Sequence, residues 1–343
     1  MEAKDSDSDH IIVLRFSALG DVAIAAPLLR EVALRYPQKR FTMVSQPMME
    51  PLFTGVPNLG FYPVYVKGSH KGVSGMFRLF RELRALKPTA VADIHSVLRT
   101  FILGALFTLS LIKVVRIRKG RAEKRLLTAR EGKRMVKLPT SMRRYEIVLE
   151  KILRENIGFS QNEGDYKHPS RTNGYMVGVA PFARHKGKEW PIERMERVVA
   201  ELSEDDRFTI ILFGGGKREA AILKGWEQRY SGATSVAGEF SFERELEIIE
   251  GLNLMICMDS ANMHFASYKN IPVLSVWGAT HPFLGFYGWG QREDMALMAE
   301  ADCRPCSVFG NKECYRGDYI CMNNLLPEDV IHRVYNFFGL ERR

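Results

Sequence analysis

Along the chain, continuous apolar runs of strand length alternate with stretches whose apolar positions recur at helical spacing. The first run, IIVLRF over 11–16, is β-branched and unbroken, the pattern of a strand buried on both faces. VAIAAPLLREVALRY (22–36) then predicts a helix and RFTMVSQ (40–46) a second strand. LGFYPVYVK (59–67), TAVADIH (89–95) and KVVRIR (113–118) predict three more strands, with the helical pattern GMFRLFRELRALK (75–87) after the first of them. Such alternation predicts a parallel sheet with helices on both faces.

The pattern restarts after a polar bridge, SQNEGDYKHPSRTNG over 160–174, where a domain boundary is expected. YMVGVAP (175–181), RFTIILFGG (207–215), LNLMICMD (252–259) and IPVLSVWG (271–278) predict buried strands ending in polar or glycine turns. Helical patterns PIERMERVVAELSE (191–204), KREAAILKGWEQRY (217–230) and SFERELEIIEG (241–251) lie between them. Pro191 suits a first helical position and Ser241 an N-cap. The whole predicts an α/β protein of two doubly wound parallel-sheet domains facing a cleft, over 1–165 and 175–325, with a C-terminal helix over 326–343. The longest apolar stretch, FILGALFTLSLI over 101–112, falls short of the roughly 20 residues a membrane crossing needs. It predicts a buried helix; the alternative is a dip into the membrane interface.

Composition changes little in this picture. A length of 343 residues favours two cores over one, and 46% hydrophobic with 26% charged residues is ordinary for a globular protein. Only MEAKDSDSDH (1–10) reads as a frayed polar start. That start is neither basic nor apolar, so no secretion signal and a cytoplasmic setting are expected.

Charge adds more. The net charge is +9, and residues 113–137 hold eleven Lys or Arg against two Glu. Such a stretch attracts phosphate-rich partners: nucleic acid, anionic lipid or phosphorylated saccharide. The alternative is a solvated basic face. No nucleic-acid-binding signature accompanies it, so nucleic acid is not favoured. Four cysteines, Cys303, Cys306, Cys314 and Cys321, follow the spacing C-x2-C-x7-C-x6-C. Disulfides are not expected without a secretion signal. A four-thiolate zinc site and reduced thiols in an ordered loop are the two readings.

Ligands of open parallel sheets bind beyond the C-terminal strand ends. Four such ends carry candidate chemistry. After the first strand, Ser17 to Asp21 forms a break in which Gly20 would allow a tight turn and Asp21 is either a helix cap or a catalytic carboxylate. PFARHKGKEWP (181–191) puts Arg184, His185, Lys186 and Lys188 before a helix, a setting for a diphosphate or a solvated basic turn. In FGGGKREAA (213–221), Gly214 and Gly215 let backbone approach a ligand, and Glu219 either meets a ribose or caps a helix. That spacing fits neither a Walker loop nor the dinucleotide fingerprint, which leaves an oxidoreductase without support. In MDSANMHFAS (258–267), Asp259, Ser260, Ala261 and His264 open a helix that could hold the same diphosphate; a structural His264 is the alternative.

RFSALGD, KEWP, FGGGKRE and MDSANMHFAS followed by PVLSVWGATHP resemble glycosyltransferase family 9, the ADP-heptose:lipopolysaccharide heptosyltransferases, in order and over nearly the whole chain. The resemblance implies the GT-B architecture of two Rossmann-like domains and an inverting transfer of heptose from an ADP-sugar without a metal cofactor. It implies Asp21 as general base, Lys188 on the donor phosphates and Glu219 near the donor nucleoside. Asp259 would meet the donor sugar, and Ser260, Ala261 and His264 would line the diphosphate. Arg184, Gly214 and Gly215 would join the donor side. Ser17, Gly20, Arg116, Arg118, Lys119 and Arg121 would meet a phosphorylated glycolipid acceptor at an anionic membrane surface. The turn Ala183-Arg184-His185 departs from the small hydroxyl residues common in the family. A nucleotide-sugar or glycolipid binding protein of the same fold, without catalysis, is the alternative function.

Overall fold

The computed structural model describes residues 9–159 and 174–342. The polar start up to residue 8 and the bridge over 160–173 lie outside the described residues. The chain forms two compact units. One comprises Met1–Lys119 with Ser141–Ser160, the other Gly120–Thr140 with Gln161–Arg343. Residues 120–140, which the pattern alone leaves with the first half, therefore pack with the second unit.

In the first unit, β1 (His10–Leu14), α1 (Leu19–Arg35), β2 (Arg40–Ser45), β3 (Leu59–Pro63), α2 (Gly72–Ala85), β4 (Ala90–Asp93), α3 (Leu98–Leu109) and β5 (Lys113–Arg116) follow in order. The helix α4 (Arg121–Leu127) belongs to the second unit, and α5 (Ser141–Leu153) returns to the first. The sheet has the order β3-β2-β1-β4-β5, all parallel. Strand order reverses between β1 and β4. With right-handed crossovers, α1 and α5 cover one face and α2 and α3 the other. Ile12, Leu14, Val91, Leu103 and Phe107 lie in the core between the sheet and α2 and α3. His10, the last residue of the polar start, is buried and begins β1.

The predicted buried helix over 101–112 is only half buried. α3 seats Leu103 and Phe107 against the sheet but exposes Leu98, Phe101 and Leu109. Its apolar side chains run round the whole helix, and one layer of sheet can cover only one side.

The second unit contains β6 (Tyr175–Ala180), α6 (Ile192–Glu204), β7 (Phe208–Leu212), α7 (Gly216–Arg229), β8 (Ala233–Ser235) and α8 (Phe242–Glu250). β9 (Leu254–Met258), α9 (Ala261–Tyr268), β10 (Val273–Trp277), β11 (Ala296–Met298), α10 (Ile320–Asn323) and α11 (Pro327–Phe338) complete it. The sheet order is β11-β10-β9-β6-β7-β8, again all parallel and reversing between β6 and β9. The predicted C-terminal helix is α11, and it packs on α6, with Tyr335 and Phe338 in one aromatic cluster with Tyr175 and Phe208. Trp190 is fully buried, and its indole N–H donates to the Met322 and Leu325 carbonyls at 3.1 and 3.3 Å. This bond anchors the turn after β6 to the C-terminal segment.

Candidate active site

In each sheet the strand ends flanking the reversal are where a ligand can enter between diverging loops. In the first unit these ends carry Arg15 to Asp21 after β1 and Ile94 to Val97 after β4. Asp21 stands in the first turn of α1, where its Oδ2 lies 2.5 Å from the Arg15 guanidinium and accepts the Ala18 N–H at 3.4 Å. The carboxylate is thus a helix cap and one half of an ion pair at once. Gly20 lies within helix α1, so the predicted tight turn at glycine is absent; β1 ends at Leu14, and Ala18, with extended backbone, is the N-cap of α1.

Arg15 is buried, donates to the Ile94 carbonyl at 2.7 Å and lies 5.7 Å from the Tyr145 ring centre. Burial works against its charge, and Tyr145 and Asp21 outweigh that effect, so its pKa rises. Asp93, buried at the end of β4, accepts the His95 and Ser96 N–H groups at 3.0 and 2.7 Å and so fixes the turn bearing His95. His95 Nδ1 accepts the Phe16 N–H at 3.3 Å, leaving Nε2 as the protonated nitrogen, 3.5 Å from Ser17 Oγ. Burial, then the charges of Arg15 and Lys119, pushes the His95 pKa down to about 3. A group so weakly basic is a hydrogen-bond donor at neutral pH rather than a proton acceptor.

The basic residues proposed for the acceptor are dispersed. Arg116 ends β5, 3.6 Å from buried Asp93, and stacks 4.9 Å from the Phe101 ring centre. Arg118 is exposed, and Lys119 lies close enough to His95 to act on its charge. Arg121 is exposed on α4, in the other unit.

Histidines held neutral make stability depend on pH. His95 falls to about 3 and half-buried His281, beside Arg304, to about 4, both below the ordinary 6.5. The unfolded chain therefore binds more protons than the folded one between pH 6.5 and those values, and stability is lost as pH falls through that window. In urea unfolding at pH 7.5, 6 and 5, His95→Asn should flatten the slope between pH 6 and 5 by about one proton, or about 1.4 kcal/mol per pH unit, and by less than half of that between pH 7.5 and 6. An unchanged slope would mean that His95 is not held neutral.

In the second unit the reversal brings together the turn after β6 and the turn after β9. Lys188 Nζ lies 2.7 Å from Asp259 Oδ2, and the Thr280 hydroxyl donates to the same oxygen at 2.7 Å. Asp259 is buried, so this partnered cation is what makes its charge tolerable. Ser260 Oγ, at the N-cap of α9, is a buried hydroxyl with no hydrogen-bond partner among the described residues. Ala261 and buried His264 lie in the first turn of α9, whose backbone N–H groups face the same end. Arg184 is exposed in the turn after β6. Gly214 and Gly215 precede α7, and Glu219 Oε2 accepts the Gly215 N–H at 2.7 Å, the capping arrangement anticipated as one of its two roles.

The cysteine-bearing loop serves this pair. Ala279 accepts N–H bonds from Cys306 and Ser307 at 3.0 and 3.2 Å, and Gly310 accepts one from Gly187 at 3.1 Å. Gly310 has φ +72°, and a Cβ there would sit 2.5 Å from Lys188 Cγ, so the lysine stem lies flat on bare backbone. Buried Arg304 donates to the Gly278, Ala299 and Thr280 carbonyls at 2.6, 2.9 and 3.0 Å. The four cysteines line a cavity of about 10 Å³, and burial pushes the Cys321 thiol up to about 11. Among the described residues no group of three or more His, Cys, Asp or Glu side chains is set to hold one metal ion. Neither Thr280 nor Arg304 stands out in the sequence. Arg15 and His95 were legible only as polar residues at strand ends.

A sequence model of glycosyltransferase family 9 (heptosyltransferase) matches residues 124–315, more than half of the chain. The chain belongs to glycosyltransferase family 9. It is 25% identical over 292 residues, 79% of its own length and 80% of the relative's, to the lipopolysaccharide core heptosyltransferase OpsX of Haemophilus influenzae. Its fold matches the family 9 glycosyltransferase of Veillonella parvula DSM 2008 with a TM-score of 0.73, at 20% identity over 98% of this chain and 99% of that one. It also matches E. coli heptosyltransferase WaaC with ADP, with a TM-score of 0.68 at 19% identity over 96% and 99%. The two Rossmann-like sheets are therefore those of a family 9 glycosyltransferase with the GT-B fold. The family match spans the Lys188, Glu219 and Asp259 turns, while Asp21 and His95 lie upstream of it.

Proposed function

We propose that this family 9 enzyme transfers a heptose from ADP-heptose to a phosphorylated, lipid A-linked lipopolysaccharide core acceptor, with inversion and without a metal cofactor. The observation that carries the donor half is the Lys188–Asp259 pair beside the unpartnered Ser260 hydroxyl and the N-terminus of α9. A cation, a free hydroxyl and unpaired N–H groups at one strand end form a seat for a diphosphate. Asp259 would orient the donor sugar, His264 and Ala261 would line the phosphates, and Arg184, Gly214, Gly215 and Glu219 would contact the rest of the nucleotide. The ADP bound in E. coli WaaC and the ADP-heptose in the name of E. coli heptosyltransferase II support ADP as the nucleotide.

In the reaction, Asp21 would take the proton of the acceptor hydroxyl as its oxygen bonds the anomeric carbon. The glycosidic bond to ADP breaks, and Lys188 with the α9 N–H groups would stabilise the charge that develops on the departing diphosphate. Ser17, Gly20, Arg116, Arg118, Lys119 and Arg121 would contact the acceptor, and the enzyme would act at the cytoplasmic face of the membrane, with no nucleic-acid partner. Binding without catalysis is favoured by one observation: Asp21 Oδ2 already holds Arg15 and the Ala18 N–H.

A thermal-shift screen tests donor choice. At a hundred times its Kd a ligand adds about 2.7 kcal/mol, which raises Tm by several degrees. ADP-heptose should give that shift, and UDP- and GDP-sugars much less. A larger shift with either of the latter would overturn the donor assignment.

A further inference from the structure

The half-buried α3 leaves apolar surface that the transfer reaction does not use. Leu98, Phe101 and Leu109 project from α3, and Leu111 just beyond it is 96% exposed. α2 lies beside α3 on the same face of the sheet, joined to it by the edge-on contact of Phe80 with Phe107 at 5.0 Å, and exposes Val73 and Phe77. Between and around these side chains stand exposed Arg78, Arg81, Arg84, Lys87 and Arg99.

The charge of this face has one sign. Residues 64–119 carry eleven Lys or Arg and two acids. Both acids are engaged: Glu82 accepts hydrogen bonds from Tyr62 and pairs with His70, and Asp93 is buried beneath His95. Large apolar side chains ringed by cations, with one partly exposed acid, Glu82, paired with His70, match the interfacial zone of an anionic bilayer, where apolar groups enter the acyl boundary and cations meet lipid phosphates. A protein partner would need its own acidic rim, and a second copy of this chain would set cation against cation.

α3 has 12 residues, about 18 Å of helix, and among the described residues no helix is long and apolar enough to cross a membrane. The face therefore suits lying on a bilayer. Leu98 and Phe101 stand at the end of α3 that follows His95, so this face begins at the strand ends carrying Asp21.

We infer that the α2–α3 face of the first unit is a docking surface for anionic phospholipid bilayers. Docking deepens the proposed function, because a lipid-linked acceptor is presented at such a surface, but it is read without any sugar transfer. The basic stretch over 120–137, on the other unit, is not required for it.

The test is co-sedimentation of the full chain with vesicles of phosphatidylglycerol and phosphatidylethanolamine, compared with phosphatidylcholine alone. The wild type should bind the anionic vesicles and lose binding in high salt. Leu109→Glu with Leu111→Asp, at nearly fully exposed positions, should reduce binding more than tenfold. Arg81→Gln with Arg84→Gln should reduce it about fivefold per charge. Leu34→Glu, exposed on α1 across the sheet, should bind as the wild type does. All variants should keep the wild-type Tm and transfer to a water-soluble deacylated acceptor at wild-type rates. If all variants bind vesicles equally, or if Leu109→Glu instead dissolves a dimer seen by sedimentation velocity, docking on lipid is wrong. In either case transfer to the soluble acceptor still reports on the transferase reading by itself.

Discussion

Asp21→Asn should lower kcat for sugar transfer about a thousandfold while leaving the affinity for ADP within about threefold, since general-base catalysis contributes roughly 10²–10⁴. Asparagine keeps an oxygen for the Ala18 N–H and keeps the side chain's shape, so the first turn of α1 should survive. It does remove the anion facing buried Arg15, and a loss of stability accompanies any unpaired buried charge. The two effects separate cleanly in a rate measured per folded molecule, with Tm recorded alongside. A structural carboxylate would show the reverse: reduced Tm with kcat of the folded fraction unchanged. Neither His95 nor Tyr145 competes for the role on chemical grounds. His95 is held neutral with a pKa of about 3, and burial raises the Tyr145 hydroxyl well above its ordinary value.

Lys188→Ala should carry the second large effect, on donor binding, turnover and folding together. The ammonium faces a carboxylate whose side chain is only 3% exposed, so removing it strands Asp259 in the interior at a cost of about 3–5 kcal/mol. Loss of the charge proposed to stabilise the leaving diphosphate should remove a further factor of roughly 10²–10³ from kcat, by analogy of magnitude with one oxyanion-hole donor. A paired substitution divides these terms. Lys188→Met with Asp259→Asn leaves no net buried charge and should recover most of the stability in urea unfolding, yet remain inactive and bind ADP weakly. Recovery of transfer in that double variant would show that Lys188 serves folding alone.

The alternation of apolar runs and helical patterns marks both sheets because parallel strands are buried on two faces and are mostly apolar between their ends. β8 and β11 escape notice since each has three residues at or near a sheet edge, too short to show a period. α5 escapes because SMRRYEIVLEKIL mixes charge and apolar side chains after a long basic stretch that draws the eye first. Strand ends with odd polar residues are legible for the same reason as the strands: a polar cluster after a buried run has to lie at the sheet's rim. Lys188 and Asp259 were both visible in this way, but their 2.7 Å pairing was not, since 71 positions separate them and only the β6–β9 reversal brings them together. Thr280 acts through a hydroxyl that meets Asp259, Arg304 through backbone carbonyls and Gly310 through close approach, none of which leaves a pattern in a sequence. Gly20 misleads in the other direction: glycine suggests a turn, but here it lies inside a helix that begins directly after Ala18.

The most direct test is transfer of radiolabelled heptose from ADP-heptose to lipid A-linked core acceptor by the purified chain in EDTA, with Asp21→Asn beside it. The account predicts a labelled, anomerically inverted product from the wild type and about a thousandfold less from the variant per folded molecule. Robust ADP-heptose binding with no transferred label from the wild type, or equal transfer by both proteins, would contradict it.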